Sequence, residues 1–343
     1  MTKYMMPPEW FPHERTWMAW PSQGYAMGSD DFEAEEARAT WASVANAIAR
    51  FEPVTVLCNQ DELPRARNHL HPSVTLVEAK LDDAWMRDIG PTFVHSETGQ
   101  VVGVNWVFNG WGAQKWASWS NDSKIAQFVG TAAGKEVINS WLINEGGGIH
   151  VNGAGSVLLT ETVQLGEGRN ASKSKEEVET EIHKTLGTSE AIWIKRGLSR
   201  DYEEFGTRGH IDIVACFADE RTILMHDQTN EAHPDYLVSR DVRQALEDFG
   251  EFKIVSLPAP TVLRDEEGWV DYSYVNHYVV NGGVILCSFD DPNDLVAKDI
   301  LEYVYPGREI VLVDARALFA RGGGIHCITQ QQPRELPLPP AGF

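Results

Sequence analysis

The string GGGIH occurs twice in this chain of 343 residues, at Gly146–His150 and at Gly322–His326, an offset of 322 − 146 = 176 residues. A glycine-rich string copied within one chain points to duplicated units, which bury their apolar faces against one another. Both copies follow strand-like apolar runs, KEVINSWLINE and GREIVLVDARALFAR. A coarser unit recurs around them: a helical stretch, a short Val/Ile-rich run, then glycine-marked turns. The helical stretches are Asp31–Arg50, Asn121–Ala133, Ser174–Leu186, Asp235–Phe249 and Asn293–Tyr303, followed by the strands VTVLCN, EVINSWLI, AIWIK, FKIVSL and EIVLV. Further strands are expected at VVGVNWVF, SVLLT, HIDIVACF, TILMH, YVNHYVV and GGVILCSF. Their continuously apolar runs suit strands buried under helices. Ser174 and Asn293 are candidate caps for their helices. The expected fold is α/β, a propeller-like ring of about five units, with a single doubly wound sheet as the competing arrangement. No GxGxxG follows an early strand, which weakens the latter. No Pro/Gly/Ser-rich linker divides the chain, so residues 1–343 read as one domain with a proline-rich, extended tail at 333–343.

The chain carries 29 Lys+Arg against 50 Asp+Glu, a formal net charge of -21. Such acidity repels nucleic-acid phosphates and anionic membranes and attracts small cations. The first residues, MTKYMMPPEWFPHE, hold no apolar run of the length a secretory signal needs, and no stretch approaches the ~18 apolar residues of a membrane span. Four cysteines, Cys58, Cys216, Cys287 and Cys327, lie far apart with no CxxC pair, which fits a reducing cytoplasm without disulfides or a zinc site.

Cys58, Cys216 and Cys287 stand in apolar strand runs and read as core residues. Cys327 follows the second glycine run, where unusual backbone angles could turn a thiol toward a cleft; a small core residue is the competing reading. A cysteine nucleophile needs its thiolate and a proton carrier. His210 and Asp212 in RGHID would share one face of a strand. Asp88 in WMRDIGP and Glu145 before Gly146 adjoin glycine. Glu145 and Cys327 flank equivalent glycine runs, so repeats around an axis would bring them to one cavity. Carboxylates beside a cysteine suit a planar cation. Trp85 adjoins Asp88, and Trp106, Trp111, Trp116 and Trp119 cluster nearby, so Trp85 and Trp111 are candidates for an aromatic wall around a cationic substrate. Strand alternation would turn Arg87 and Arg208 away from that cavity.

The strings PPEWFPHERTWMAWPS, WMRDIGPTFV, NWVFNGWGAQKW, NEGGGIHVNGAGSVLLTE, GRN, GHIDIVACF, YSYVNHYVVNGG and GGGIHCITQQQP run in this order through most of the chain. In them the sequence resembles the agmatine deiminases, within the wider group that includes bacterial peptidylarginine deiminase. The resemblance implies a pentein fold, a five-bladed α/β propeller with its site on the axis. It implies Cys327 as nucleophile, His210 as general acid/base, Glu145 as the acid that orients and charges His210, and Asp88 and Asp212 as the clamp on a guanidinium. It implies hydrolytic deimination of agmatine to N-carbamoylputrescine and ammonia through a thiouronium on cysteine, with no metal or organic cofactor. The partner would be a small cationic guanidino compound, and a homo-oligomer is left open. Ile89 after MRD, Gly324 where asparagine is common, and the segment 113–120 depart from the family pattern and bear on the substrate tail. Alternatives are deimination of free or peptide-terminal arginine, amidino transfer, and a non-catalytic pentein binding factor.

Overall fold

The computed structural model describes residues 3–250 and 252–337. Five times the chain runs strand, helix, strand. The units are His13–Ala19, Asp31–Ile48 and Val54–Cys58; Val101–Val107, Ile125–Ala132 and Glu136–Ile143; Ser156–Thr160, Lys175–Leu186 and Glu190–Ile194; Thr222–Asp227, Asp235–Phe249 and Lys253–Pro258; and Gly283–Ser288, Asn293–Val304 and Glu309–Asp314. Within each unit the two strands pair in parallel, as a helical crossover requires. The first strand of each unit also pairs antiparallel with an added strand: Thr329–Pro333, Thr92–Ser96, Ile149–Val151, Ala215–Phe217 and Tyr278–Val280 respectively. The described residues thus form five sheets of three or four strands, of mixed α/β class. In four units the added strand comes just before its partner in the chain. In the first it comes from the other end, so Thr329–Pro333 joins the end of the chain to His13–Ala19.

The five helices lie where the sequence places them. Ser174 caps its helix in a full capping box with Glu177. Asn293 does not cap: Pro292 holds that position, the Asn293 side chain donates to the Ala259 carbonyl at 2.7 Å, and Asp294 accepts from Phe289 N–H at 3.0 Å. Two expected strands begin as something else. Ile211–Ile213 is a 3-10 turn before the strand Ala215–Phe217, and Tyr274–Asn276 is another before Tyr278–Val280. The two GGGIH copies also differ. Gly146–Gly148 forms a turn leading into the strand Ile149–Val151, whereas the second copy leads into the turn His326–Ile328. Past the strand end at Pro333 the tail is held by Arg334 N–H on Pro12 O and Leu336 N–H on Gly99 O, both at 2.9 Å. The rest of the tail lies outside the described residues. No helix among the described residues is long and apolar enough to cross a membrane.

Candidate active site

The turns that interrupt the expected strands build the site. Cys327 stands in the turn His326–Ile328 and is 5% exposed. Its Sγ lies 3.6 Å from Asp212 Oδ2 and 3.4 Å from Asn276 Nδ2. Burial, then the charges of Asp212 and Asp88, push its thiol well above the ordinary cysteine range.

Asp212 lies inside the 3-10 turn that follows His210, so strand alternation does not bring the two together; the turn does. Asp212 Oδ2 accepts from His326 Nδ1 at 2.8 Å, and His326 Nε2 donates to Glu9 Oε2 at 2.8 Å. Burial disfavours charge on His326 and Arg87 opposes it too, but Glu9 and Asp212 hold its proton and raise its pKa. Burial also works against the Asp212 charge, yet His326 and His210 keep its pKa low. The other oxygen, Oδ1, is buried with no partner.

His210 is held from behind. Its backbone N–H donates to Asp201 Oδ2 at 3.1 Å, and that carboxylate also accepts from Thr207 and Gly209. Its Nε2 faces Glu145 Oε2 at 3.3 Å, and its Nδ1 is buried without a hydrogen bond, 3.9 Å from Asp88 Oδ1. Burial opposes the imidazolium; Asp88, Glu145 and Asp212 overcome it and raise the pKa to about 9. Glu145 pairs through both oxygens with Arg169 Nε at 3.0 Å, and both side chains are fully buried. A Cβ on Gly147 would lie 2.4 Å from His210 Nδ1, so only glycine lets the ring sit there.

Asp88 belongs to the helical turn Met86–Ile89. Oδ1 accepts from Gly147 N–H at 3.0 Å and Oδ2 from Trp111 Nε1 at 2.9 Å. Burial raises its pKa, against the pull of His210. Trp111 thus binds the carboxylate itself and stacks on Trp116 at 5.2 Å. Trp85 packs edge-on to Trp41, and its ring would meet a Cβ on Gly323 at 2.6 Å. Trp106 lies apart, donating to Thr92 Oγ1 at 2.9 Å.

Arg87 is buried and Arg208 half-buried, each held by protein groups. Arg87 is 2% exposed, donates to Gln331 Oε1 at 2.8 Å and stands 3.7 Å from Glu9. Arg208 has a positive φ of 75° and donates to Gln114 Oε1 at 2.9 Å. Beyond Trp111 an open cleft of 1130 Å³ carries both signs of charge, with Glu161, Glu203, Lys115, Arg196 and Arg208 on its wall.

The structure therefore brings Cys327, His210, Glu145, Asp88 and Asp212 around one centre, with Trp111 on Asp88 and Trp85 against the glycine run. Sequence reasoning missed Glu9, Arg169, Asn276 and His326. Each stands in a string that carries the family resemblance, but each acts across a long separation, such as the 317 residues between Glu9 and His326. Among the described residues Glu9, His150 and His326 also place potential metal-ligating atoms within 4.8 Å of one another, although both His326 nitrogens already face carboxylates.

The sequence profile described as Porphyromonas-type peptidyl-arginine deiminase matches residues 5–333. The chain belongs to this family. The chain is similar to a provisionally named agmatine deiminase of Streptomyces coelicolor, 56% identical over 337 residues that cover 96% of this chain and 99% of that protein. The agmatine deiminase of Pseudomonas fluorescens is 36% identical over 360 residues, covering 96% of this chain and 95% of its own. The solved structure of Enterococcus faecalis agmatine deiminase superposes with a TM-score of 0.90 at 30% identity, over 97% of each chain. As a member of this deiminase family the protein is a hydrolase acting on carbon–nitrogen bonds of linear amidines, with the mixed α/β fold of its pentein-type neighbours.

Proposed function

We propose that the enzyme hydrolyses agmatine to N-carbamoylputrescine and ammonia through a thiouronium on Cys327. The observation that carries this reading is the buried Oδ1 of Asp212, left without a partner while the other oxygen of that carboxylate lies 3.6 Å from the Cys327 sulfur, with the charge of a second carboxylate, Asp88, acting on the same thiol. A buried acceptor without a donor is costly, and a planar cation with paired N–H groups is what it lacks. The five units surround one axis as a single five-bladed propeller domain, a reading supported by the repeated strand order and by the pairing of Thr329–Pro333 with His13–Ala19.

The guanidinium lies between Asp88 and Asp212 with its central carbon facing Cys327. Its positive charge offsets the two carboxylates that hold the thiol neutral, so the thiol proton leaves to solvent as the cation arrives. The thiolate attacks the carbon, giving a neutral tetrahedral adduct. The His210 imidazolium, its Nδ1 free and its Nε2 held by Glu145, gives a proton to one amino nitrogen. Ammonia leaves with the electrons of the broken C–N bond, and a cationic thiouronium remains. Neutral His210 then takes a proton from water as its oxygen bonds to the carbon. Collapse expels the sulfur, which takes up the hydroxyl proton and returns to the thiol, leaving the ureido product and a charged His210; the proton released to solvent at the start converts the departed ammonia to ammonium.

Agmatine is favoured over arginine by the net charge of -21 and by the names of the relatives. The test is a panel of agmatine, arginine, an arginine-terminated peptide and amine acceptors, scored separately for ammonia and for ureido product. Stoichiometric ammonia and N-carbamoylputrescine from agmatine support the reading. Amidino transfer to an added amine, or preference for arginine, contradicts it.

A further inference from the structure

Asp88 and Asp212 are anchored differently. Asp88 takes a separate N–H on each oxygen, from Gly147 and from Trp111. On the Asp212 carboxylate the described residues place one close hydrogen bond, from His326 Nδ1 at 2.8 Å; the Cys327 sulfur is farther, at 3.6 Å, and Oδ1 has no partner. The last torsion of an aspartate side chain is broad, so this single bond decides where Oδ1 points. His326 is itself held on every side. Its backbone N–H donates to Asn276 Oδ1 at 3.0 Å, and its carbonyl accepts from Arg87 Nε at 3.2 Å and from Thr329 Oγ1 at 3.0 Å. Behind the ring, Nε2 donates to Glu9 Oε2 at 2.8 Å, and Glu9 Oε1 accepts from Val279 N–H at 2.8 Å. Ionised carboxylates only accept, so the ring meets both of them by carrying a hydrogen on each nitrogen.

We infer that His326, braced by Glu9, is a positioning residue that aims the Asp212 carboxylate and leaves its Oδ1 turned to the substrate guanidinium. The inference deepens the proposed reaction and rests on Asp212 as one arm of its clamp. His326 belongs to the same turn as Cys327, so the turn that presents the nucleophile also sets the clamp. The place of the sulfur and the place of the bound carbon are thereby tied to each other. Loss of the Nδ1–H lets the carboxylate rotate, and a misplaced carbon slows attack. Glu9 acts one step further back: it keeps the ring in plane with Asp212 and does not touch the reacting atoms.

The experiment measures kcat/KM and the melting curve of wild type, His326→Asn, His326→Gln, Asp212→Asn and the double variant Asp212→Asn/His326→Gln, with the guanidino compound that wild type turns over fastest. The amide nitrogen of asparagine is as many bonds from the backbone as Nδ1, so His326→Asn keeps the donor to Asp212 and loses Glu9. The amide nitrogen of glutamine matches Nε2, so His326→Gln does the reverse. We expect kcat/KM to fall about tenfold to a hundredfold in His326→Gln and to stay within about fivefold of wild type in His326→Asn. Stability should order the other way, because His326→Asn strips a partner from the buried Glu9 charge. On the Asp212→Asn background, His326→Gln should cost less than about threefold more, since both changes act through one carboxylate. A purely structural role makes activity follow stability and costs the same on both backgrounds; either result overturns the inference. If His326→Gln does not fold, histidine 15N spectra of wild type decide: Nδ1 of His326, assigned through bonds from its own backbone, carries a hydrogen at neutral pH, and a bare Nδ1 overturns the inference. A preference for arginine would contradict the agmatine reading in wild type alone, and the order of the variants would still decide the part played by His326.

Discussion

Replacing Asp212 by asparagine should move two properties of the enzyme in opposite directions. Its Oδ1 is buried without a partner, and its Oδ2 accepts from His326 Nδ1 at 2.8 Å. The asparagine oxygen still accepts from His326, but the charge-assisted bond to the substrate guanidinium is gone. Bonds of that kind contribute roughly 1.5 to 3 kcal/mol each, which is about tenfold to a hundredfold in kcat/KM. A misplaced reacting carbon adds to the loss. The free enzyme responds the other way. After burial, Asp212 is the first of the charges that hold the Cys327 thiol above its ordinary range. Without that charge the thiol ionises more readily, so iodoacetamide at fixed neutral pH should modify Cys327 of Asp212→Asn faster than wild type. Damage to the fold would expose the buried thiol and speed its alkylation too, so the comparison is made only where the variant melts like wild type. The assay is kcat/KM for agmatine beside the second-order rate of Cys327 alkylation, on protein with a wild-type melting curve. A kcat/KM within about tenfold of wild type, or alkylation slowed together with turnover, would refute the reasoning.

Three further outcomes are expected. The His210 pKa is raised from 6.5 to about 9, so its charged form adds stability that is full below pH 6.5 and lost as pH rises through about 9; kcat should fall across the same alkaline limb, Glu145→Gln should shift that limb to lower pH, and an unmoved limb in a pH–rate profile would show that another group titrates. Agmatine should exceed arginine in kcat/KM by at least about tenfold, because the field of a chain with a net charge of -21 favours a dication over a zwitterion; the reverse order under one set of conditions would make Arg208, on the wall beyond Trp111, the first candidate for the carboxylate's anchor. EDTA and added divalent ions should leave the initial rate unchanged, since no proposed step calls on a metal ion; a rate lost in EDTA and restored by one ion would point to Glu9, His150 and His326.

The helices were legible because their signals are local. Asp235–Phe249 begins and ends where the sequence places it, and Ser174 shows its capping box as Glu177 three residues on. The strand Thr329–Pro333 was not legible, since TQQQP shows no apolar alternation. Its glutamines are buried because distant partners satisfy them: Trp17 Nε1 donates to Gln332 and Arg87 to Gln331, both at 2.8 Å. The same reason hid the supporting half of the site. His326 precedes Cys327 in the sequence, but its bonds to Glu9 and Asp212 follow from tertiary structure. Spacing put His210 and Asp212 together by the wrong route, since a 3-10 turn rather than a strand carries Asp212. The repeat marked the right places without predicting their conformations, because one GGGIH copy feeds a strand and the other feeds the turn that presents Cys327.

The covalent step on Cys327 is tested most directly by intact-protein mass spectrometry of enzyme quenched with acid during agmatine turnover, followed by peptide mapping. The expected result is a substrate-derived adduct, short of agmatine by one ammonia, on Cys327 alone among Cys58, Cys216, Cys287 and Cys327. Neither adduct nor turnover is expected in Cys327→Ser. Turnover by the serine variant at a rate near wild type, or an adduct on another residue, would contradict a covalent role for Cys327.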